Sequence, residues 1–472
     1  MSLRKNRKYL IITFVIVLCL AAVAWRGRFR LRALLSELRE EQARATLELP
    51  SAGSLNLPPA PPLSLTAGDW PWWRGVHGDN HSDPLPVAAW SETQNVLWKT
   101  ALPGRGHSSP CVCGDQIFLT TSLDDQQLQQ VLAVDRRSGE LAWQTTVHQG
   151  TPIYSNTRNS HASSSVATDG HQLFAAFAVD NSIWLSSLDR QGNLLWQREI
   201  GPYVSKEGYG ASPVIVGDVV IVAADCIGRS WLAAIHRTTG DTVWRISRGA
   251  GTSYASPVVI DAENGPLIVM AGLNFVTAYR PADGTVAWQA PGPDMSASTP
   301  VRVGDALVVT GCTADSGLYG VTLAEPKRVI WQEGVKVEVP SPLACDGNVY
   351  FVQDVGIVMC YDAASGDRRW RHRLPGTTVS SPLLAGGQIL VCTEEGHCVV
   401  FEPGAEYREV ADNQLDDAIY ATPVVSDGQL LIRGLHHLYC IGLPDASSVI
   451  SDRSHPSAVE APTQAGTQGR DE

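Results

Sequence analysis

The chain has few of the patterns that mark common catalytic and metal sites. Its 472 residues include 10 cysteines, but no Cys-x-x-Cys pair and no Cys/His cluster with zinc spacing occurs. No Ser-His-Asp or paired-carboxylate arrangement stands out either. The cysteines are scattered through the expected strands. We interpret them as small buried apolar residues, a usage that fits a reducing compartment somewhat better than an oxidising one.

Positive charge is scarce outside the N-terminal segment. The chain has 36 Lys and Arg against 48 Asp and Glu, a net charge of −12, and the basic excess is confined to residues 1–68. The acidic remainder argues against nucleic acid as a partner, because such binding needs a basic face. We interpret the acidity as a contribution to solubility.

One long apolar run occurs, from Tyr9 to Trp25. It follows a basic cluster, and its length of about 17 residues is at the short limit for a membrane-spanning helix. A cleaved signal peptide is the alternative, since Ala22-Val23-Ala24 resembles a cleavage site. A lipoprotein anchored at Cys19 is disfavoured because Leu18 stands where a small residue is expected. Arginines follow the run directly, so we favour an uncleaved anchor over residues 1–27.

The rest of the chain divides around one large repeat domain. Basic residues flank the anchor on both sides, so the positive-inside rule does not orient it. We expect a single span in the inner membrane with the repeat domain in the periplasm. The expected segments are a helical stalk and Pro-rich linker over 28–68, a Trp-rich strap over 69–94, a β-propeller over 95–445 and a disordered tail over 446–472.

Eight copies of one motif organise the repeat domain. Most begin with Ser or Thr before Pro, followed by a Gly-Asp or Asp-Gly turn and an apolar run. A repeat of roughly 40–55 residues that contains the sequence pattern of four β-strands is typical of propeller blades. We predict an all-β fold, an eight-bladed β-propeller of four-stranded antiparallel blades. The copies occupy 108–121, 163–176, 211–224, 255–269, 298–311, 340–353, 380–393 and 421–434.

A second signature follows most copies, an Asp-x-x-x-Gly turn with the Gly four residues before a Trp. Asp can bond the backbone of a tight turn, and Gly tolerates positive φ. A large flat side chain on the outer strand suits burial between adjacent blades. We therefore predict a structural role for Trp98, Trp143, Trp196, Trp244, Trp288, Trp331 and Trp370.

The two ends of the repeat domain complement each other. The last blade, 421–441, has only three strands, whereas the isolated segment 95–102 has the pattern of an outer strand and carries Trp98. We predict that this segment completes the last blade. Closing the ring in this way removes the exposed sheet edges of an open array.

The repeated Asp-x-x-x-Gly-x-x-x-Trp turn, together with the Ser-Pro-opened strands, resembles the repeat of pyrroloquinoline quinone (PQQ)-type propellers. That family includes quinoprotein alcohol dehydrogenases and the outer-membrane assembly factor BamB. The resemblance covers about residues 95–441. The segments DWPWWRG (69–75) and NVLWKTALPGRGHSSP (95–110) are most similar to membrane-tethered PQQ-like repeat proteins of planctomycete-type bacteria.

The resemblance implies two different kinds of function. Its dehydrogenases hold the quinone against a Trp and a disulfide of adjacent cysteines, and bind calcium through Glu, Asn and Asp. This chain has no adjacent Cys-Cys pair, so no catalytic, cofactor or metal residue carries over and we expect no cofactor. The BamB-like members are tethered scaffolds without a cofactor, although this chain lacks their lipobox.

Residues just before each inner strand should form a ring at the mouth of the central channel. The ring could be a polar lining that holds water, a rim that binds protein or glycan, or a metal or cofactor site. The long loop 146–162 adds Arg158 and Asn159, with a tolerated insertion as the alternative. The ring residues are His107, His161, Tyr209, Tyr254, Ser296, Glu338, Thr378 and Tyr420.

These observations favour a non-catalytic, membrane-tethered scaffold that binds a protein partner in the cell envelope. We expect no small-molecule ligand. The strap should pack across the propeller, with Arg74 stacking or pairing. A PQQ- or metal-dependent oxidoreductase is the alternative function.

Overall fold

The computed structural model describes residues 57–82, 84–313 and 315–443. The expected anchor at 1–27, most of the stalk and linker, and the expected tail at 446–472 lie outside the described residues. Within the described part of the chain, no helix has the length and apolar character needed to cross a membrane.

Eight β-sheets, each with four antiparallel strands in meander order, make up the propeller. This confirms the predicted all-β, eight-bladed architecture. In seven of the eight blades a short inner strand begins after a Ser/Thr-Pro motif, because Pro lacks the N–H that a ladder requires and is favoured at strand starts. In most blades a Gly-Asp or Asp-Gly turn then leads into the second strand, which is largely apolar and buried.

The longest strands, of eight or nine residues, lie in blades 1–3. Blade 1 also holds a short 3₁₀ helix at Asp124–Gln126. Blade 1 consists of Cys111–Cys113, Gln116–Leu123, Leu128–Asp135 and Leu141–Gln149; blade 2 of Ala167–Thr168, Gln172–Val179, Ser182–Asp189 and Leu194–Pro202; blade 3 of Val214–Val216, Val219–Ala224, Arg229–His236 and Thr242–Ala250; blade 4 of Val258–Ile260, Leu267–Gly272, Phe275–Tyr279 and Val286–Pro291.

The other four blades follow the same plan. A two-residue strand, His81–Ser82, adds to blade 7 in parallel with its inner strand. Blade 5 consists of Val301–Val303, Ala306–Thr310, Leu318–Thr322 and Val329–Glu333; blade 6 of Leu343–Cys345, Asn348–Gln353, Ile357–Asp362 and Arg368–Arg373; blade 7 of Leu383–Ala385, Gln388–Cys392, His397–Glu402 and Arg408–Gln414; blade 8 of Val424–Ser426, Gln429–Arg433, His437–Ile441 and Val96–Ala101.

The N-terminal strand closes the ring as predicted. Val96–Ala101 pairs antiparallel with His437–Ile441, and Trp98 lies opposite Cys440. The outer strand of blade 8 therefore comes from the opposite end of the repeat domain to its other three strands.

The outer-strand tryptophans lie between blades, each against the turn of the next blade. The Trp244 indole donates to the carbonyl of Pro281 at 2.8 Å, and a Cβ added at Gly284 would lie 2.7 Å from the Trp244 ring. Gly284 has a φ of +71°, so the turn needs Gly for its conformation and for this close approach. Trp98, Trp143, Trp196, Trp331 and Trp370 make the same kind of indole hydrogen bond.

Trp288 is the exception, and the sequence explains why. The next blade lacks the Asp-x-x-x-Gly turn and has Glu325, Pro326 and Lys327 in its place. The Lys327 ammonium lies over the Trp288 ring at 6.0 Å from its centroid, a cation–π contact. Trp288 therefore packs against a cation where the other tryptophans meet a glycine.

Residues 57–82 run across the propeller and contact all eight blades. Arg74 is 1% exposed, and its guanidinium donates to the carbonyl oxygens of Gly78 and Pro342 at 2.9 and 2.8 Å. Burial lowers the pKa of Arg74 to about 10. The contacts, one to each blade, are Pro58 with His236, Ser64 with Asp169, Gly68 with Ser426, Trp70 with Val112, Trp73 with Thr299, Arg74 with Pro342, Gly78 with Val258 and Asn80 with Pro382.

Candidate functional site

A cavity of about 580 Å³ lies on the propeller axis, where the loops before the inner strands converge. Its wall contains hydroxyl, aromatic and charged side chains. The lining residues include Trp73, His107, Ser109, Asn156, Arg158, Asn159, Glu207, Ser212, Tyr254, Ser256, Thr299, Lys336, Glu338, Val339, Ser341, Asp354, Ser381, Tyr420 and Thr422.

The structure brings together most, but not all, of the residues expected at the channel mouth. His107, Tyr254, Glu338 and Tyr420 line the cavity, as do Arg158 and Asn159 of the long loop. His161, Tyr209, Ser296 and Thr378 are not among the lining residues. Equivalent positions in the repeats therefore place their side chains in different environments.

Packing inside the blades accounts for the residues that do not line the cavity. Tyr209 is 6% exposed, stacks edge-on against Tyr203 and donates to the Ala223 carbonyl at 3.3 Å. His161 Nδ1 lies 2.8 Å from the Asp124 carboxylate. Ser296 and Thr378 are buried and bond neighbouring backbone carbonyls. The partners are Ser298 for Ser296, and Ser380 and Cys392 for Thr378.

His107 and Tyr420 form a stacked pair in the cavity wall. Their ring centroids are 4.3 Å apart and the rings are nearly parallel, at 7°. Burial, together with the smaller effect of the nearby Arg105 and Arg433, lowers the pKa of His107 to about 3. The imidazole is therefore neutral at physiological pH, and its Nε2 atom is buried with no hydrogen-bond partner in the described part of the chain.

Ion pairs connect the long loop, 146–162, to the opposite side of the cavity mouth. Arg158 contacts Asp354 at 3.5 Å and makes a closer ion pair with Glu394. Asp354 also accepts from the backbone N–H of Glu338 at 3.1 Å. Burial raises the pKa of Asp354 despite these partners. The loop therefore contributes to the site through ordered contacts that span the mouth.

Internal partners engage the other acidic side chains of the wall. Glu338 pairs with Lys336. Glu207 accepts from the Asn156 side chain at 2.8 Å, and the Asn159 side chain donates to the Glu207 carbonyl at 2.8 Å. The acidic groups of the wall are thus already bonded within the protein, which suits a polar recognition surface better than an ion site.

A belt of hydroxyl groups surrounds the axis. In the sequence, these Ser and Thr residues were interpreted only as the starts of strands. The residue at the Ser/Thr-Pro position of one blade donates its backbone N–H to the corresponding hydroxyl of the next blade, at 2.9–3.0 Å. Their recurrence in every repeat is the signal that could have revealed the belt. Its members are Ser109, Ser165, Ser212, Ser256, Thr299, Ser341, Ser381 and Thr422.

Trp73 is a second part of the cavity wall that the sequence did not predict. It belongs to the strap, yet it lines the cavity and donates from Nε1 to Thr299 Oγ1 at 2.9 Å. An indole from outside the repeats thus forms part of the cavity wall. Nothing in the DWPWWRG pattern distinguishes Trp73 from Trp70 and Trp72, which are buried.

The lining residues do not fit a quinone held by a vicinal disulfide with calcium. The sequence has no adjacent cysteines. In the described residues, no group of three or more His, Cys, Asp or Glu side chains is arranged to hold a metal ion. The acidic side chains at the mouth already have basic or amide partners, so they do not form a ligand set for calcium.

Comparisons with known proteins agree with the repeat architecture. The model of a family described as outer membrane protein assembly factor BamB matches residues 82–225, 180–332 and 314–406. BamB of Burkholderia pseudomallei is 25% identical over 376 residues, spanning 74% of this chain and 88% of that protein. BamB of Yersinia pestis is 22% identical over 369 residues, spanning 74% and 89%.

Solved structures show the same fold in two functional classes. BamB from Moraxella catarrhalis superposes with a TM-score of 0.55 and 17% identity, covering 73% of this chain and 99% of that chain. The quinohemoprotein alcohol dehydrogenase from Comamonas testosteroni gives a TM-score of 0.59 at 12% identity, covering 79% and 80%. At these identities the likeness concerns the fold alone.

Proposed function

Because the chain belongs to the family of the outer membrane protein assembly factor BamB, we propose that it is a non-catalytic scaffold for a protein partner in the cell envelope. The partner binds at the rim of the axial cavity. The relatives' name supports a role in assembling envelope proteins. These relatives are 22–25% identical to this chain, so its own surface must supply the binding site.

The observation that carries the proposal is the apolar character of the cavity rim. Tyr154 of the long loop is 71% exposed, Val355 is 52% exposed and Val339 is 40% exposed. These residues stand beside lining residues whose charges are already paired. Exposed aromatic and aliphatic groups around a polar centre are typical of protein recognition surfaces.

Site-specific photocrosslinking in cells tests this surface. A photoreactive residue at Tyr154 or Val355 of the full-length chain should capture the same envelope protein, identified by mass spectrometry. Val286 is the matched control, because it is 51% exposed but lies on an outer strand. Equal capture from Val286, or none from the two rim positions, would contradict the proposal.

A binding measurement then separates specific recognition from proximity. The identified partner, once purified, should bind the full-length chain. The double variant Tyr154→Asp with Val355→Asp should weaken that binding by about tenfold or more, as expected for central apolar contacts. Val286→Asp should leave the affinity unchanged.

We also propose that residues 1–27 hold the propeller at the inner membrane as an uncleaved single span. The apolar run at Tyr9–Trp25 and the arginines that follow it support this. Intact-mass analysis of the mature protein should find residue 1 or 2 at its N-terminus. A start near Trp25 or at Cys19 would replace the anchor with a cleaved signal peptide or a lipid.

A further inference from the structure

Two cysteines face each other across a hairpin of blade 7. Cys392 ends the second strand and Cys398 lies near the start of the third, and the two are directly opposite in the strand register. Both side chains are fully buried, and their Sγ atoms are 3.0 Å apart. The structure records both as free thiols.

The backbone at this position suits a covalent link. The Thr393 N–H donates to the His397 carbonyl at 2.8 Å, so that pair occupies a hydrogen-bonded site. Sites alternate along an antiparallel ladder, which makes the adjacent Cys392–Cys398 pair a non-hydrogen-bonded one. Cα atoms at such sites are about 4.5 Å apart, within the range that a disulfide spans.

We infer that Cys392 and Cys398 form a cross-strand disulfide when the protein folds in the presence of a disulfide oxidant. The two thiols lose two protons and two electrons as the Sγ–Sγ bond forms. The oxidant, a small-molecule or protein disulfide, accepts them and is cleaved to two thiols. This bond rests on the hairpin geometry and is independent of the proposed function.

The order of events follows from burial. Burial raises the pKa of the Cys398 thiol well above its ordinary value, with Cys392 adding to the effect. Only the thiolate attacks a disulfide, so the packed thiol pair reacts slowly. The bond forms before the hairpin is buried, and once buried it is shielded from reductants.

The hairpin contributes directly to the cavity mouth. Its turn carries Glu394, which pairs with Arg158, and Glu395, which accepts from the Thr377 backbone at 2.8 Å. A covalent tie at the base of this turn holds both carboxylates in position. The bond therefore stabilises the same rim to which the long loop is attached.

The other cysteines serve as internal controls. Of the nine described cysteines, Cys392 and Cys398 are the two whose sulfur atoms contact each other. Cys111 and Cys113 lie on the same strand, and their partners on the neighbouring strand are Phe118 and Gln116, not cysteines. Cys440 is fully buried and lies opposite Trp98, which makes it the matched single-cysteine position.

Peptide mapping tests the inference. The full-length protein, purified in detergent, is unfolded under reducing conditions and refolded with oxidised and reduced glutathione. It is then alkylated in denaturant without further reduction. Glutamyl endopeptidase cuts after Glu394 and Glu395, between the two cysteines, so a disulfide keeps the two fragments joined until a reductant is added.

The expected result is that fragment 339–394, which contains Cys392, is linked to the fragment that contains Cys398, while Cys345, Cys360 and Cys440 are alkylated. Cys398→Ala should leave the Cys392 fragment free and alkylated, whereas Cys440→Ala should leave the link intact. If Cys392 and Cys398 are both fully alkylated in the refolded wild-type protein, or if Cys392 is linked to a different cysteine, the inference is wrong.

Discussion

Trp73 Nε1 donates to Thr299 Oγ1 at 2.9 Å, joining the strap to the hydroxyl belt of the propeller. Seven of the eight junctions of the belt have a backbone N–H bonded to the hydroxyl of the next blade. At the junction from Ser256 to Thr299, the structure records the Trp73 indole as the donor to Thr299. The strap therefore supplies one hydrogen bond to the hydroxyl belt and also forms part of the cavity wall.

The first prediction distinguishes the contribution that the Trp73 hydrogen bond makes to stability from the contribution of the packing of its indole ring. Trp73→Phe keeps an aromatic ring and removes the donor, so it should lower the free energy of unfolding by about 1 kcal/mol. Trp73→Ala should cost about 3 kcal/mol, because it also leaves a void. Thermal and urea melts measure both, with the exposed His77→Ala as control. Equal losses for Phe and Ala would show that the indole bond dominates.

The second prediction concerns the contact between Trp244 and Gly284. Trp244→Ala should lower stability by about 3–5 kcal/mol, since the indole is 2% exposed between two blades. Gly284→Ala should cost about 1–3 kcal/mol, because its Cβ would lie 2.7 Å from the ring. Gly428→Ala is the matched control, with a φ of +70° and nothing within 4 Å of the added Cβ. Equal losses at Gly284 and Gly428 would assign the effect to backbone strain alone.

The third prediction addresses ring closure. Deleting residues 1–102 removes Val96–Ala101 and exposes the edge of His437–Ile441, so the product should aggregate. Deleting residues 1–56 retains the strand and the contacts of residues 57–82, and should leave a soluble fold with a cooperative melt. Size-exclusion chromatography and thermal melts compare the two. A monomeric, cooperatively folded 103–472 chain would refute the role of this strand.

The fourth prediction follows from the buried His107. Its pKa is about 3 in the folded protein, against 6.5 ordinarily, so the unfolded state binds more protons between these values. Its contribution to stability is complete above about pH 6.5 and is lost as the pH falls towards 3, by at most about 1.4 kcal/mol per pH unit.

His107→Phe tests this, because it keeps an aromatic ring against Tyr420 and cannot be protonated. Its stability should fall less steeply than that of the wild type between pH 6.5 and pH 4, measured by urea melts. His171→Gln, at an exposed position, should follow the wild type. An identical slope for His107→Phe and the wild type would contradict the assignment.

The fifth prediction concerns the oxidoreductase alternative. A ligand that binds only the folded state at a hundredfold excess over its Kd adds about 2.7 kcal/mol of stability. We expect no thermal shift with PQQ and calcium together, and no alcohol-dependent dye reduction. A shift that His107→Ala or Glu338→Ala abolishes would favour the oxidoreductase over the scaffold.

The fold could be predicted in detail because its signals are local. Gly-Asp turns, Asp-x-x-x-Gly turns and alternating apolar residues each act over a few neighbouring positions, and eight repetitions made the pattern unambiguous. Even the closure by Trp98 and its strand followed from counting strands. The candidate site was predicted less completely, since Tyr209 and Tyr254 hold equivalent repeat positions but only Tyr254 lines the cavity.

The sequence by itself determined the number of blades, the order of strands and the tryptophan of seven of the eight outer strands, because backbone preference and side-chain periodicity are properties of short segments. Only the tertiary structure decided which side chains meet on the axis. Trp73 and Thr299 are 226 residues apart, and Arg158 and Glu394 are 236 apart. Such contacts depend on how the closed ring packs its loops and strap, and short-range patterns do not encode that geometry.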